Sequence, residues 1–479
     1  MSITRRKVLI GAGAGAGIIA AGSGAAVYDS MQDRRPEPNS VHKVTSLPAD
    51  DKTPGWYHLS PKRQPRPALK GDVKAPFVVV GAGFTGLAAA RQLALNFPDK
   101  QIILVEAQEV GFGTSGRNAG FAIDLPHDIS TPDYIGELGK ARNILAMNRK
   151  GQSILHELVQ QHGIECHLRQ SGKYQAALEE HGLNVLEAYR GGLQKLGQEC
   201  TMIEGDELPE HIGTKFYKRA LYTPGTMLLQ PAMLVKGLAD SMPDNVKLYE
   251  HTAITSVTYG PQTILHHPNG QITADKLILA NDAFGTHFGF LPRALLPIFT
   301  YGSITRPLTT SEQQALGGKD FWGVIPGHPF GTTVRRTHDN RIFVRNSFSF
   351  IADGRAKDEY LHKFRENHKR SFDRRFPMLP DVGFEYTWGG GLAMSRNGAG
   401  FFGQLLPNVY GALGSNGLGI TRGTVTGTLL ADWLAGKDDE LIRFLLNGPK
   451  PVINPPEPFL SMGVNFTLWR EESGAGLEA

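Results

Sequence analysis

Three glycines and one glutamate carry the clearest chemistry in the sequence. Gly81, Gly83 and Gly86 follow the apolar run Phe77-Val78-Val79-Val80 as G-x-G-x-x-G, with Phe84 and Thr85 inside the turn. Glu106 closes the next apolar run, "QIILVE", twenty residues beyond Gly86. Glycines at this spacing let backbone N–H groups approach a pyrophosphate, and the carboxylate can accept hydrogen bonds from ribose hydroxyls. The implied chemistry is dinucleotide binding.

An earlier glycine run, "RRKVLIGAGAGAGIIAAGSGAAVY" at 5–28, fails the same test. Ala16 and Ile18 stand where the last glycine belongs, and Arg5-Arg6-Lys7 stands where a strand should. A basic start, an uncharged apolar segment and small residues around Ala26 describe an export signal. "TRRKVLI" resembles the twin-arginine class, so we expect that export machinery as a partner. The protein would then work in the periplasm or on the outer face of the inner membrane. Cleavage near Ala26 and retention as an anchor are both open.

The elements that must position the glycines follow from periodicity. Phe77–Val80 reads as a buried parallel strand and 87–95 as an alanine-rich helix. The loop "GFGTSGRNAGF" precedes a long helix over about 134–161. "HLRQSGKYQAALEE" and "IPGHPFGTTVRRTHDNRIFVRNSFSF" read as antiparallel strands broken by Gly, Pro and Asn. "NVYGALGSNGLGITRGTVTGTLLADWLAG" reads as a strand, a glycine-rich turn and a helix closed by Gly436. Nucleotide-domain elements therefore recur near 76–125, 225–285 and 385–436, and that domain is discontinuous.

Bulk properties narrow the function classes. A chain of 479 residues exceeds one ordinary core. Its formal charge is +4, of which Arg5, Arg6 and Lys7 supply three, so there is no electrostatic case for nucleic acid. Cys166 and Cys200 make neither a disulfide framework nor a zinc site, and the sixteen histidines show no ligand spacing. We expect no metal.

"VVVGAGFTGLAAA…VEAQEVGFGTSGRNAGF", "LLQPAMLVKGL", "LILANDAFG" and "ALGSNGLGITRGTVTGTLLADWLAG" together resemble the D-amino-acid oxidase superfamily of FAD enzymes. "GTSGRNAGF" is similar to its gamma-glutamylputrescine oxidoreductase branch. The resemblance implies an α/β fold: a discontinuous Rossmann-type FAD-binding domain with an inserted antiparallel-sheet substrate domain (α+β). The expected limits are a signal or anchor at 1–28 and a linker at 29–74. The FAD-binding domain takes 75–165, 222–285 and 386–440, the substrate domain 166–221 and 286–385, and a tail 441–479.

The same resemblance implies roles for particular residues. Thr114, Ser115, Gly116, Arg117 and Asn118 match a loop that passes the phosphates and reaches the flavin. Ile254 matches a position whose backbone contacts adenine. Gly414, Gly417, Gly419 and Thr421 belong to a second glycine loop, whose helix would point at the flavin and stabilise its reduced anion. Tyr301, Arg345 and Trp388 are candidates for the substrate face. Thr421 replaces a lysine that holds a carboxylate in sarcosine-oxidase-like relatives, and no cysteine lies beyond Cys200 to attach the flavin. We therefore expect non-covalent FAD and an exported oxidoreductase taking a primary or secondary amine to an imine by hydride transfer to flavin, with Arg345 as the cation for an amino acid if one is used. Oxygen or quinone would accept the electrons. The alternatives are a membrane-attached amino-acid deaminase feeding quinone, and a flavin-bound protein without turnover.

Overall fold

The computed structural model describes residues 36–128, 131–352, 354 and 358–479, so the N-terminal arginine pair and apolar run lie outside the described residues. The first sheet has a parallel centre in the spatial order Val246–Tyr249, Ile102–Val105, Val73–Val80, Gly270–Leu279 and Val409–Leu413. Val78, Val79, Ile102, Leu104, Leu277 and Ile278 are fully buried, because helices and loops cover both faces. Strand Gly270–Leu279 forks the sheet. Its first half pairs with Thr263–His267, then Ser256–Thr258 and Val41–Lys43, while its last residues pair with Val409–Leu413.

Helix Phe84–Asn96 leaves the first glycine loop and packs against helix Thr424–Leu434, which leaves the second. Two glycines make the crossing close. A β-carbon at Gly427 would run into the Thr85 carbonyl oxygen, and one at Gly423 would lie 2.8 Å from Thr85 Oγ1. Gly86 is needed for a related reason, since its β-carbon would strike the Gly81 carbonyl oxygen.

The second sheet runs Phe384–Met394, Leu296–Thr305, Ile342–Phe350, Thr333–Arg336, Trp322–Pro326, Lys173–Ala177, Arg219–Thr223 and Thr201–Glu204. Its pairs are antiparallel except Trp322–Pro326 with Lys173–Ala177. Helix Asp358–Arg375 packs on one face through Phe364 and Phe372, with Phe376 just past its end, and the other face meets the first domain. Arg345 stands opposite Gly302 and Thr333, and Trp388 stands opposite Gly302, so these side chains share the inner face. Tyr301 is adjacent to Gly302 and falls on the outer face, where its ring lies 4.0 Å from Phe364.

Several expected boundaries move. Residues 386–394 belong to the substrate sheet, as they continue the strand paired with Leu296–Thr305. Within the segment read as a linker, Val41–Lys43 is an edge strand and Trp56 is buried against Phe343 and Trp388. The C-terminal tail folds into helices Glu440–Asn447 and Phe459–Gly474 and ends on Glu478, whose buried carboxylate accepts from the Leu178, Glu179 and His328 N–H groups.

Asp51 ties this N-terminal segment to both domains. Its carboxylate accepts from Arg117 Nη1 at 2.8 Å and from the Gly389 N–H at 2.9 Å, with both ionic side chains fully buried. Removing one partner of a buried ion pair costs about 3–5 kcal/mol. Asp51→Ala is therefore expected to lower the thermal unfolding midpoint by several degrees. An unchanged midpoint would show that this clamp does not hold the segment.

Candidate active site

A cavity of about 480 Å³ runs between the two domains, within the range of small-molecule and cofactor sites. The first glycine loop (Gly81, Gly83, Phe84 and Thr85) lines it, together with Glu106, Ile254 and, from the second glycine loop, Gly417 and Gly419. Gly81 holds φ at +100°, and Gly417 at +82°, conformations that favour glycine. The Glu106 carboxylate accepts from the Ala82 and Gln108 N–H groups, both at 3.0 Å. Burial raises its pKa, and these bonds oppose the shift. Its remaining lone pairs suit hydroxyl donors.

The loop after the second strand contributes in part. Thr114, Ser115 and Asn118 line the cavity. Ser115 Oγ accepts from the Phe84 N–H at 3.1 Å, and a β-carbon on Gly83 would lie 2.6 Å from that oxygen. Thr114 Oγ1 donates to the Gly391 carbonyl, while Asn118 closes its own turn on Ser115 and Gly120. Gly116 lies behind this wall, where its β-carbon would strike the Gly111 carbonyl oxygen.

Arg117 does not reach the cavity. Its guanidinium donates to Phe112 O, Asp51 and Gly389 O, which makes it the clamp between segments. Two members of the second glycine loop also lie outside the lining. The Gly414 N–H donates to Asp282 Oδ1 at 2.7 Å, and Thr421 Oγ1 donates to the Ile123 carbonyl at 3.2 Å.

The substrate-face candidates separate. Trp388 is 1% exposed, donates from its indole to the Arg117 carbonyl and packs on Trp56 and Phe343. Tyr301 points into the outer core and shares a hydrogen bond with Ser349 at 2.7 Å. Arg345 lines the cavity beside Thr333 and Ile325. No described residue gives its guanidinium a hydrogen bond or ion pair, and its guanidinium carbon lies 5.4 Å from the centre of the Phe348 ring. Burial lowers its pKa to about 10, which leaves it cationic at neutral pH.

The sequence reading missed Asp282, although it quoted "LILANDAFG" around it. Asp282 holds φ at +48° and accepts from the Gly414 N–H, the Ser415 N–H and Ser415 Oγ. It pins the second glycine loop to the end of a parallel strand. An aspartate three residues past the end of a buried strand was the available signal. Leu47, Pro48 and Asp50 also line the cavity, from the segment read as a linker.

The residues present fit a dinucleotide. Glycines clear the cradle, a helix N-terminus faces it, and Asn281 Oδ1 is buried in the lining without a partner among the described residues. Among the described residues no His/Cys/Asp/Glu group could hold a metal. Cys166 sits in the helix–sheet core and Cys200 beside another cluster, and neither lines the cavity. Acid denaturation is therefore expected to release free FAD. A yellow polypeptide after denaturation would refute this.

Known proteins agree with this geometry. The chain is 26% identical over 431 residues to the gamma-glutamylputrescine oxidoreductase of Escherichia coli K12, covering 88% of this chain and 99% of that protein. It is 25% identical over 389 residues to the probable oxidoreductase OrdL of Haemophilus influenzae, covering 79% and 87%. The fold is similar to glycine oxidase from Geobacillus kaustophilus, with a TM-score of 0.65 at 18% identity, covering 79% of this chain and 100% of that one. It is also similar to L-amino acid deaminase from Proteus myxofaciens, with a TM-score of 0.62 at 15% identity over 85% and 97%. The family model for FAD dependent oxidoreductases, DAO, matches residues 77–433. That match begins in the strand before Gly81 and ends in the helix after Gly423, taking in both glycine loops and everything folded between them: the chain belongs to the DAO family of FAD-dependent oxidoreductases.

Proposed function

We propose that this FAD-dependent amine or amino-acid oxidoreductase acts on the C–N bond of an amine that also carries a carboxylate, and that Arg345 holds that carboxylate. The observation that carries this reading is the unpaired Arg345 guanidinium in the cavity wall. Arg345 is half-buried in the cavity wall with no counter-ion among the described residues, and a bound carboxylate would supply one. The sequence favoured a plain amine because Thr421 stands where some relatives keep a lysine. Thr421 is turned toward Ile123, so it bears little on the choice, and Arg345 supports the amino-acid side.

The surroundings agree in sign. Burial, with the nearby positive charges of Lys173, Arg422 and Arg345, brings His127 down to about 3, so that imidazole is neutral at working pH. Phe121, Ile123, Ile325 and Ile420 also line the cavity, and such apolar walls disfavour an ammonium over a neutral amine. Bound FAD supplies the acceptor for the electrons of the C–N bond. The chain's own task is to orient the substrate by its carboxylate and to keep water from the reacting carbon.

Arg345→Ala is expected to reduce kcat/KM for an amino-carboxylate by roughly thirty-fold or more, the equivalent of about 2–5 kcal/mol, with partial recovery in Arg345→Lys. Plain amines that bleach the wild-type flavin as fast as their carboxylated counterparts would overturn the assignment. A flavin that no amine or amino acid bleaches would instead favour a protein without turnover.

Export belongs to the same proposal and rests on the Arg5-Arg6 pair in "TRRKVLI". Replacing both arginines with lysine is expected to leave flavin-loaded protein in the cytoplasm. Normal export of that variant would remove the twin-arginine assignment. Oxygen consumption against quinone reduction decides the electron acceptor.

A further inference from the structure

Helix Phe459–Gly474 is apolar on two opposite sides. Leu460 and Leu468 are buried against the second sheet, which fixes how the helix is turned. Phe459, Met462, Phe466 and Trp469 are 65%, 66%, 53% and 63% exposed. At 100° per residue these four fall within about 80° of arc, so they form one stripe. Phe466 and Trp469 already touch, with ring centroids 5.8 Å apart. No described element covers the stripe, whereas four large apolar residues of a soluble surface helix are normally scattered or buried.

The place of this helix says what covers it. Leu460 and Glu457 line the cavity, so the start of the helix forms part of the cavity wall beside Leu296 and Pro297. The described chain enters the fold at Pro36, which packs against Gly289. Four residues on, Arg293 exchanges hydrogen bonds with Asn454, and three residues further Leu296 packs on Leu460. Seven residues span at most about 25 Å even when extended. The point where residues 1–35 join the fold and the start of the apolar stripe therefore lie on neighbouring parts of the molecule. Residues 8–28 carry no charged side chain, and only seven residues separate them from Pro36.

We infer that this helix is a membrane-docking surface: its Phe459-Met462-Phe466-Trp469 stripe enters the interface of a phospholipid bilayer, on the side where the apolar N-terminal segment joins the fold. Aromatic and other large apolar residues on an in-plane helix suit the headgroup–acyl boundary. Arg470 and Glu471 continue the helix as polar rim. Docked in this way, the protein sets the cavity wall formed by Glu457 and Leu460 next to the lipid.

Trp469 reports directly on the inference. Trp56, Trp322 and Trp388 are at most 2% exposed, and Trp433 packs on Phe402 and Tyr410, which leaves Trp469 as the tryptophan open to lipid. The full-length, flavin-loaded chain is mixed with phosphatidylethanolamine–phosphatidylglycerol vesicles, with acyl chains either plain or brominated. Brominated chains are expected to quench the tryptophan emission relative to plain ones, and Trp469→Phe is expected to remove that difference. Phe466→Glu should also remove it while leaving flavin absorbance and unfolding midpoint unchanged. Equal emission in both lipids would overturn the inference, whether the stripe is covered by residues 8–28 or by a second copy. A doubled mass that Phe466→Glu returns to the monomer would identify the second copy as the occupant, again against a membrane. The readout does not depend on turnover, so it stands apart from the assignment of Arg345.

Discussion

The site depends on two helices crossing with almost nothing between them. Gly423 and Gly427 let helix Thr424–Leu434 lie against the backbone of Thr85, at the first turn of helix Phe84–Asn96. That contact sets the second glycine loop beside the first, although more than three hundred residues of chain separate them in sequence. A single methyl at Gly427 would push the helices apart and move Gly417–Ile420 away from Gly81–Thr85. Because cores pack at crystal-like density, such a displacement has nowhere to be absorbed. A similar close approach recurs where Gly151 of the long helix meets the Thr421 carbonyl. Three helices thus converge on one loop, and glycine is the residue that lets them.

A second constraint joins the domains. Arg117 and Asp51 bury their charges together, and each also holds backbone groups of the other layers: Phe112 O, Gly389 O and Gly389 N–H. The pair is a junction between the N-terminal segment, the loop after the strand Ile102–Val105 and the first strand of the substrate sheet. Trp56 extends the junction by stacking on Phe343 and Trp388, with the Arg335 guanidinium 5.4 Å from its ring. The "GTSGRNAGF" run therefore serves two ends. Thr114, Ser115 and Asn118 face the cavity, and Arg117 turns away to brace it. Sequence spacing alone does not reveal which way a loop side chain turns.

What the sequence made legible follows the same division. Strands buried on both faces and glycines under steric compulsion leave local signals, so the nucleotide half could be read from "FVVVGAGFTG" and "NGLGITRG". Helix Glu180–Lys195 was passed over, although Leu183, Val185, Leu186, Tyr189 and Leu193 recur at helical spacing. Helix Asp358–Arg375 is so charged that its apolar positions, Phe364 and Phe372, give a weak pattern. The inward-facing residues of the substrate sheet were harder still. Tyr301 and Gly302 differ by one position and face opposite sides, and the register irregularity after Thr300 displaces the alternation there. A strand's inner face is decided by what packs on it, and those partners come from distant parts of the chain.

The cavity is also graded in charge. At the end lined by Ile254 stand Glu106, Glu109 and Asp50, and the carboxyls of Glu106 and Asp50 are pushed up in pKa chiefly by burial. In the middle the wall is glycine backbone and hydroxyl, at the first turn of a helix, where partial positive charge suits a diphosphate without any fixed cation. Arg345 also lines the cavity, with its charge retained and no hydrogen-bond or ion-pair partner among the described residues. A dinucleotide held here would find carboxylates suited to its ribose hydroxyls in Glu106 and its neighbours, and N–H donors suited to its phosphates in the glycine loop. The substrate end is then the place where the protein leaves a full positive charge unanswered. An arginine half-buried in this wall with no counter-ion among the described residues adds nothing to the packing of the fold that an apolar side chain would not. Under the proposed function that charge is what would orient the substrate's carboxylate, which is a task that apolar packing cannot perform.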